Sequence, residues 1–437
     1  MLKVGRRILP FCLILFGASN GHAASAPVQP YRPQSLLPRG AAVKQAFRES
    51  VQPAAKIRVR IAEAVPTVLV RGYDLGFDSG SPNAKHVPGF SQWELRCQDG
   101  RVRAREVGGA RAMELGEPAL VGTQAGFLTV QNKRYRESVR VFSQGSFCEA
   151  VNEVDLEKYL LGLVNGEFNS RWNEEAIGAQ VVAARTYALY RMREMRKEHY
   201  DVDPNERDQV YDGSVGEDHR AARVVERTRG VILASADGRV PLKAFYHSSC
   251  GGRTELPQHV WGGGSFPGFR SVACPYCSIA PKFNWNTRIT SDELVHAFRK
   301  GTRISGAQPN WPGLWMAILQ KGELVGLDVD RREAPEFGNR VAAVRTTWVY
   351  SGRTYDLPIS GARFREWFGA TRLRSALFSI LPQPPAAGRL AWKIEGRGNG
   401  HGVGMCQWGA KVMGDRGFRM ASILRHYYPD AVLRKLW

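Results

Sequence analysis

Near Leu156 the spacing of apolar residues changes period, and that change limits what the chain can fold into. Upstream, Ile57, Val59 and Ile61 alternate with Lys56, Arg58 and Arg60. Val68 and Val70 continue the pattern, and Trp93-Glu94-Leu95, Phe127-Leu128-Thr129-Val130 and Val139-Arg140-Val141 repeat it. Period two, broken by glycine-rich turns, predicts half-buried antiparallel strands. Downstream, Leu156, Tyr159, Leu160 and Leu163 recur at helical spacing as far as Gly166. A second helix is expected over 174–197. Asn173 offers the capping oxygen, Glu174 and Glu175 place carboxylates where the helix dipole favours them, and Ile177, Val181, Ala184 and Ala188 form one apolar face. Strands follow around 230–234 and 240–246. Residues 315–358 alternate again, and short helices are expected over 362–368 and 423–428. The fold class is α+β, with a β-rich N-terminal module over 55–150 and a mixed α/β region over 151–437. At 437 residues, 43% hydrophobic and 23% charged, the chain has the composition of folded domains with two or three cores.

The N-terminus reads as an export signal. Lys3, Arg6 and Arg7 form a positive start, residues 8–16 an apolar core, and Gly21 and Ala23 a small-residue exit, giving a signal peptide over 1–23. Pro27, Pro30, Pro33, Pro38 and Pro53 then mark a linker over 24–54. No run of 18 apolar residues follows, so no transmembrane span is expected in the mature chain. Lys and Arg number 61 against 41 Asp and Glu, a net charge of +20. Such a balance suits a polyanion: nucleic acid, an anionic membrane surface or a wall polymer. Export to the periplasm or the cell wall selects the wall polymer and argues against nucleic acid. Of seven cysteines, Cys12 lies in the leader, leaving Cys97, Cys148, Cys250, Cys274, Cys277 and Cys406. An oxidising compartment permits disulfides, and Cys97 and Cys148, in the same β-rich region, are the pair expected to bridge.

Four stretches carry chemistry. Glu167 sits where one helix ends and the next has not begun, among Val164, Phe168 and Trp172. A carboxyl partly desolvated there has its pKa raised, as a general acid needs; capping or a salt bridge would equally explain a Glu. Asp201, Asp203 and Asn205 alternate as in a calcium loop, but Glu206 stands at the sixth position, where glycine is required. His247-Ser-Ser-Cys250 and Cys274-Pro-Tyr-Cys277 have the spacing of tetrahedral zinc ligands. A disulfide among the three cysteines, leaving one thiol free, is the competing reading. Finally, glycines crowd around His401 in Gly396-Arg-Gly-Asn-Gly-His-Gly-Val-Gly-Met-Cys-Gln-Trp-Gly-Ala410, without the Lys-Ser/Thr ending of a phosphate loop.

Taken in order, these stretches resemble the SpoIID/LytB family of exported bacterial wall proteins. The resemblance rests on Val154-Asp-Leu-Glu-Lys-Tyr-Leu-Leu-Gly-Leu-Val-Asn-Gly-Glu167 and Ala176-Ile-Gly-Ala-Gln-Val-Val-Ala-Ala-Arg-Thr-Tyr-Ala188. It continues through Asp208-Gln-Val-Tyr-Asp-Gly213, Phe245-Tyr-His-Ser-Ser-Cys-Gly-Gly-Arg-Thr-Glu255, Gly400-His-Gly-Val-Gly-Met-Cys-Gln-Trp-Gly-Ala410 and Ile423-Leu-Arg-His-Tyr-Tyr-Pro429. It implies a fold with a glycan cleft and a lytic transglycosylase cutting between N-acetylmuramic acid and N-acetylglucosamine in strands stripped of stem peptides. Glu167 would be the catalytic acid, and Arg185, Gln209, Tyr211, His247, Ser248, His401 and Gln407 would line the cleft; for Arg185 a structural ion pair is the other reading. Trp172, Trp261 and Trp408 are available for stacking on sugar rings or for a core. The resemblance adds weight to a structural zinc held by His247, Cys250, Cys274 and Cys277, with no cofactor needed for the chemistry, and Cys406 is expected to be dispensable. Other family members enhance a wall amidase without cutting glycan, so an amidase partner is the alternative to catalysis. A water-using muramidase is a further one. Two departures stand out: Gly166 directly precedes the acid, and Phe168-Asn-Ser-Arg-Trp replaces a proline often found there, both expected to loosen the turn.

Overall fold

Alternation in the first hundred residues becomes eight strands in a computed structural model that describes residues 55–78, 85–264, 266–304, 313–386 and 388–437. The expected leader over 1–23 and linker over 24–54 lie outside the described residues. The strands are β1 (Lys56–Val65), β2 (Val68–Asp78), β3 (Lys85–Gln98), β4 (Arg101–Glu106), β5 (Ala112–Leu115), β6 (Ala119–Val130), β7 (Lys133–Gln144) and β8 (Phe147–Asp155). They form one antiparallel sheet in the order β1-β8-β7-β6-β2-β3-β4-β5. Ile57, Val59, Val68, Val70, Trp93, Leu95, Val121, Val139 and Val141 are buried along its alternating positions. A disulfide joins Cys97 on β3 to Cys148 on β8. These strands are separated by three others in the sheet, so the sheet curls back on itself and the bridge closes it.

The boundary expected at residue 150 falls inside β8. That strand runs on to Asp155, whose carboxylate accepts from the backbone N–H groups of Glu157 and Lys158 at 2.9 and 3.2 Å and so starts helix α1 (Leu156–Glu167). One hydrophobic cluster continues from the sheet through α1, α2 (Glu174–Glu194) and α3 (His219–Arg227). Helix α2 is apolar beyond the single face expected. Ile177, Val181 and Ala184 enter the sheet's core, whereas Ala179, Val182 and Ala183 enter a second core built by the C-terminal segments. A helix buried all round is the axle of its domain.

Arg185 lies on this axle, 0% exposed, and is not a cleft residue. Its Nε and Nη2 donate to both oxygens of Glu157 at 2.9 and 2.7 Å, and Nη1 donates to the Val231 carbonyl at 3.0 Å. The ion pair therefore takes the fork that a sugar would have needed. Tyr211 is likewise interior: its hydroxyl donates to Asn152 Oδ1 at 3.0 Å, and its ring packs on Tyr159. The acidic run after Tyr200 is held by arginines of β1, with Asp201 on Arg58 and Asp203 on Arg60.

Strand β9 (Val231–Ala234) pairs with the C-terminal strand (Val432–Lys435). The strand expected over 240–246 shrinks to β10 (Tyr246–His247), since Pro241 brings no N–H to a ladder. Short helix α4 (Pro257–Trp261) follows. Residues 284–397 then form an inserted module with its own core around Phe298, Trp348, Ile359, Phe364 and Ile394. It contains β11 (Asn284–Thr290), α5 (Ser291–Ile304), α6 (Gly313–Lys321), β12 (Glu323–Arg332), β13 (Val341–Tyr350), β14 (Arg353–Ser360), α7 (Gly361–Phe368), β15 (Phe378–Ala386) and β16 (Arg389–Arg397). The alternation expected from residue 315 begins only at β12, because Leu314, Trp315, Ile318 and Leu319 follow helical spacing. After the module, β17 (Met405–Cys406) pairs parallel with β10, and α8 (Gln407–Asp415) and α9 (Met420–Tyr427) complete the chain before its last strand, β18.

Removing one partner of the interior Arg185–Glu157 pair leaves a desolvated charge. Glu157→Gln is expected to lower stability by about 3–5 kcal/mol, measured by urea denaturation. A loss below about 1 kcal/mol would mean that the pair does not hold the axle.

Candidate active site

Five backbone segments meet at a cavity of about 1310 Å³: the end of α1, the loop around Asp208, β10 with Ser248, α4, and residues 399–407, with α7 of the inserted module opposite them. Glu167 is the last residue of α1, so its side chain leaves the helix into this space. Its Oε1 accepts from the Val210 N–H at 2.6 Å. The close approach of Val210 depends on Gly166, since a β-carbon there would stand 2.9 Å from the Val210 carbonyl oxygen. The glycine expected to loosen the turn is what lets the donor loop reach the acid.

The pKa of Glu167 is raised by burial, opposed by hydrogen bonds from Val210, Tyr246 and Gln407 and assisted by the charge of Glu206. Tyr246 is itself fixed from behind. Tyr159 donates to Gln209 Oε1 at 3.1 Å, and Gln209 Nε2 donates to the Ala184 carbonyl at 3.2 Å and to the Tyr246 hydroxyl oxygen at 3.1 Å. With that oxygen accepting, the Tyr246 proton is directed at Glu167. Gln209 is thus buried behind the cavity as a positioning residue rather than on its wall. Gln407 lines the cavity and its Nε2 also donates to the Glu167 carbonyl at 3.1 Å.

His247, Ser248 and His401 line the cavity as expected from the motifs. His247 Nδ1–H donates to the Val403 carbonyl at 3.0 Å, and Nε2 is buried with no hydrogen-bond partner among the described residues. Burial, then the Arg340 charge, push this imidazole down to about 3, so it is neutral and Nε2 is an acceptor. His401 is spent on structure: Nδ1 accepts from Val403 N–H at 3.0 Å and Nε2–H donates to the Tyr246 carbonyl at 2.9 Å. Burial drives its pKa well down too. Trp261, 48% exposed, lines the cavity beside His401 and stacks on Phe245 with centroids 4.5 Å apart. Trp172 and Trp408 pack on one another instead.

The inserted module adds what sequence reasoning missed. Arg331, Arg340, Arg363, Arg365 and Arg374 all line the cavity. Arg363 Nη1 and Arg365 Nε are buried without a hydrogen-bond partner among the described residues, and burial lowers the Arg365 pKa. No motif marked these residues, because they are brought in by a module more than a hundred residues downstream of Glu167. Of the other carboxylates on the cavity, Asp208 accepts from Tyr187 at 2.7 Å and faces Arg191 Nε at 3.0 Å, and Glu255 accepts from Leu256 N–H and His259, whereas Glu206 is exposed on the wall. Glu174 pairs with Arg223 and Arg227, and Glu175 accepts from Met420 N–H at 2.7 Å.

The sulfur site differs from its expected composition. Cys250, Cys274, Cys277 and Cys406 are all buried, with sulfurs within 4.8 Å of one another. Cys406 replaces His247, whose Nδ1 is committed to Val403. The parallel pairing of β10 with β17 places Cys406 opposite His247, beyond the reach of any local spacing rule.

Residues 144–234, which include Glu167, α2 and Gln209, match the family model described as SpoIID, Stage II sporulation protein. Over 332 residues the chain is 29% identical to an uncharacterized protein of Brachyspira hyodysenteriae, covering 73% of this chain and 78% of that protein. It is 28% identical over 301 residues to Stage II sporulation protein D of Bacillus subtilis, covering 64% of this chain and 74% of that one. The match to the amidase enhancer of Bacillus subtilis is 26% identical over 311 residues, 63% of this chain but only 40% of that protein.

The raised pKa of Glu167 fixes the sign of a stability test. The folded chain keeps this proton at pH values where the unfolded chain, near the ordinary 4.5, has lost it. Stability from this group is therefore full below that value and falls as pH rises through the folded one. Glu167→Gln retains an oxygen for Val210 and cannot ionise. It is expected to melt above the parent at pH 7 and together with it near pH 4, read by thermal unfolding; a variant less stable at both pH values would contradict the assignment.

Proposed function

We propose that this chain, which belongs to the SpoIID/LytB family, is an exported peptidoglycan lytic transglycosylase acting through Glu167. Family membership supports a cell-wall-related role. The observation that carries the finer reading is the setting of Glu167: a desolvated carboxyl with a raised pKa, opening into a cavity, with donors ready for its charged form.

The protonated carboxyl would donate to the oxygen bridging N-acetylmuramic acid and N-acetylglucosamine as the bond to muramic C1 breaks. The Val210 N–H, Tyr246 hydroxyl and Gln407 amide then stabilise the carboxylate that remains. That carboxylate takes the proton of the muramic C6 hydroxyl, whose oxygen bonds to C1 and closes a 1,6-anhydro ring. No water is consumed, and Glu167 ends protonated as it began. A hydrolytic glycosidase, by contrast, needs a second carboxyl free to activate water. Asp208, Glu255 and Glu174 are engaged by hydrogen bonds or ion pairs, which leaves Glu206, exposed on the cavity wall, as the carboxyl that a hydrolytic route would have to use. Trp261 offers a ring face for a sugar, and the unpaired Nε2 of His247 offers an acceptor for a hydroxyl.

The arginines of the inserted module support a peptide-stripped substrate. Removing a stem peptide from muramic acid frees a lactyl carboxylate, which suits Arg363 and Arg365; the amide of an intact stem carries no such charge. The amidase-enhancer relative supports a second reading, in which this chain binds wall glycan and assists an amidase that strips it.

Mass spectrometry of products from intact and amidase-stripped peptidoglycan separates these readings. Anhydro-muramic ends are expected from stripped glycan, with Glu167→Gln slower by about 10²–10⁴-fold. The rate should fall as pH rises through the raised Glu167 pKa, because the acid must start protonated. Reducing ends would mean hydrolysis, and binding without release would favour the amidase-assisting role. Arg365→Ala is expected to raise KM for stripped glycan by about ten-fold, the loss of one charged hydrogen bond, with a smaller change in kcat.

A further inference from the structure

Behind the cavity, the four thiols form a closed group that the reaction does not use. Cys250 follows β10, Cys274 and Cys277 come from the loop before the inserted module, and Cys406 ends β17 and caps α8. The Cys250 and Cys277 sulfurs are 3.5 Å apart, and all four lie within 4.8 Å of one another. A tetrathiolate zinc with bonds of about 2.3 Å has sulfur–sulfur edges of about 3.8 Å, so the group needs little adjustment to hold one ion. Two backbone donors already point at one sulfur: the N–H groups of Cys250 and Gly409 each lie 3.4 Å from Cys406 Sγ. A β-carbon at Gly409 would come within 2.7 Å of Cys274 Sγ, so the backbone there is packed directly on the cluster.

A second, independent feature is the charge beside it. Arg340 is 3% exposed, and its Nη2 donates to the Cys250 carbonyl at 2.5 Å. Among the described residues its Nε and Nη1 have no hydrogen-bond partner, and a Glu255 carboxylate oxygen is 3.9 Å from Nε. A buried guanidinium so poorly compensated calls for a nearby anion. Four thiolates around one divalent ion leave two negative charges next to it.

We propose that Cys250, Cys274, Cys277 and Cys406 bind one structural Zn²⁺ as a tetrathiolate, with Arg340 as the outer cation that offsets its charge. The metal ties three chain segments together and fixes the first turn of α8, from which Gln407 donates to Glu167. Its role is positional, and no step of the reaction passes through it. The site stands on sulfur geometry and charge, independently of which reaction the cavity performs.

The test uses the full chain purified without added metal or chelator, by metal analysis and zinc X-ray absorption. The expected result is one zinc per chain in a shell of four sulfurs at about 2.3 Å with no imidazole signal. The denatured, chelated full chain should then yield five titratable thiols, these four and Cys12, besides the Cys97–Cys148 bridge. Cys406→Ser is expected to lose zinc to a competing chelator about ten-fold faster or more, while His247→Ala keeps one zinc per chain. A mixed shell of three sulfurs and one nitrogen, lost in His247→Ala, would overturn the assignment. So would metal-free protein, whether its four sulfurs are thiols or two further disulfides. Should Cys406→Ser fail to fold, the absorption spectrum of the parent still decides.

Discussion

The site depends on one contact: the Val210 N–H against the carboxyl of Glu167, made possible by the missing side chain at Gly166. Burial alone would push this carboxyl so far toward its neutral form that it could not surrender a proton. Donors alone would hold it ionised and useless as an acid. The structure supplies both, and burial prevails, so the pKa is raised. The role proposed for Glu167, acid first and base later, needs both.

Holding the balance falls to elements far from one another in sequence. Helix α2 is enclosed by two cores and carries the Arg185–Glu157 pair that locks it to α1, the helix that ends in Glu167. From the same helix the Ala184 carbonyl anchors Gln209, and Gln209 orients Tyr246. Residues that resemble cleft groups by motif are in this way one layer back from the substrate space. They act on the acid through other side chains, and their burial is the reason they cannot touch sugar.

The strands and helices near the acid were legible because their apolar spacing reports burial directly. The positions of β1, α1 and α2 follow from Ile57, Leu156 and Ile177 and their repeats. Motif order likewise pointed to Glu167, His247, Ser248, His401 and Gln407, all of which line the cavity. What was not legible is what depends on pairing between distant segments. Cys406 joins the sulfur group only because β17 lies parallel to β10, and the Arg363–Arg365 wall exists only because the inserted module folds back over the site. A spacing rule sees neither, and nearness to Cys250 in sequence suggests His247 as a ligand although the sulfur group closes without it.

The arginine wall raises an electrostatic question of its own. Guanidinium groups beside a catalytic carboxyl would stabilise its charged form and destroy its acidity at neutral pH. Here the charged neighbour acting on Glu167 is Glu206, which pushes the pKa further up. Five arginines that line the cavity come from the inserted module, with Arg207 and Lys282 from outside it. Their field falls on whatever occupies the cavity. Placing the cations on a separate module with its own core lets the fold tune substrate charge and acid strength independently.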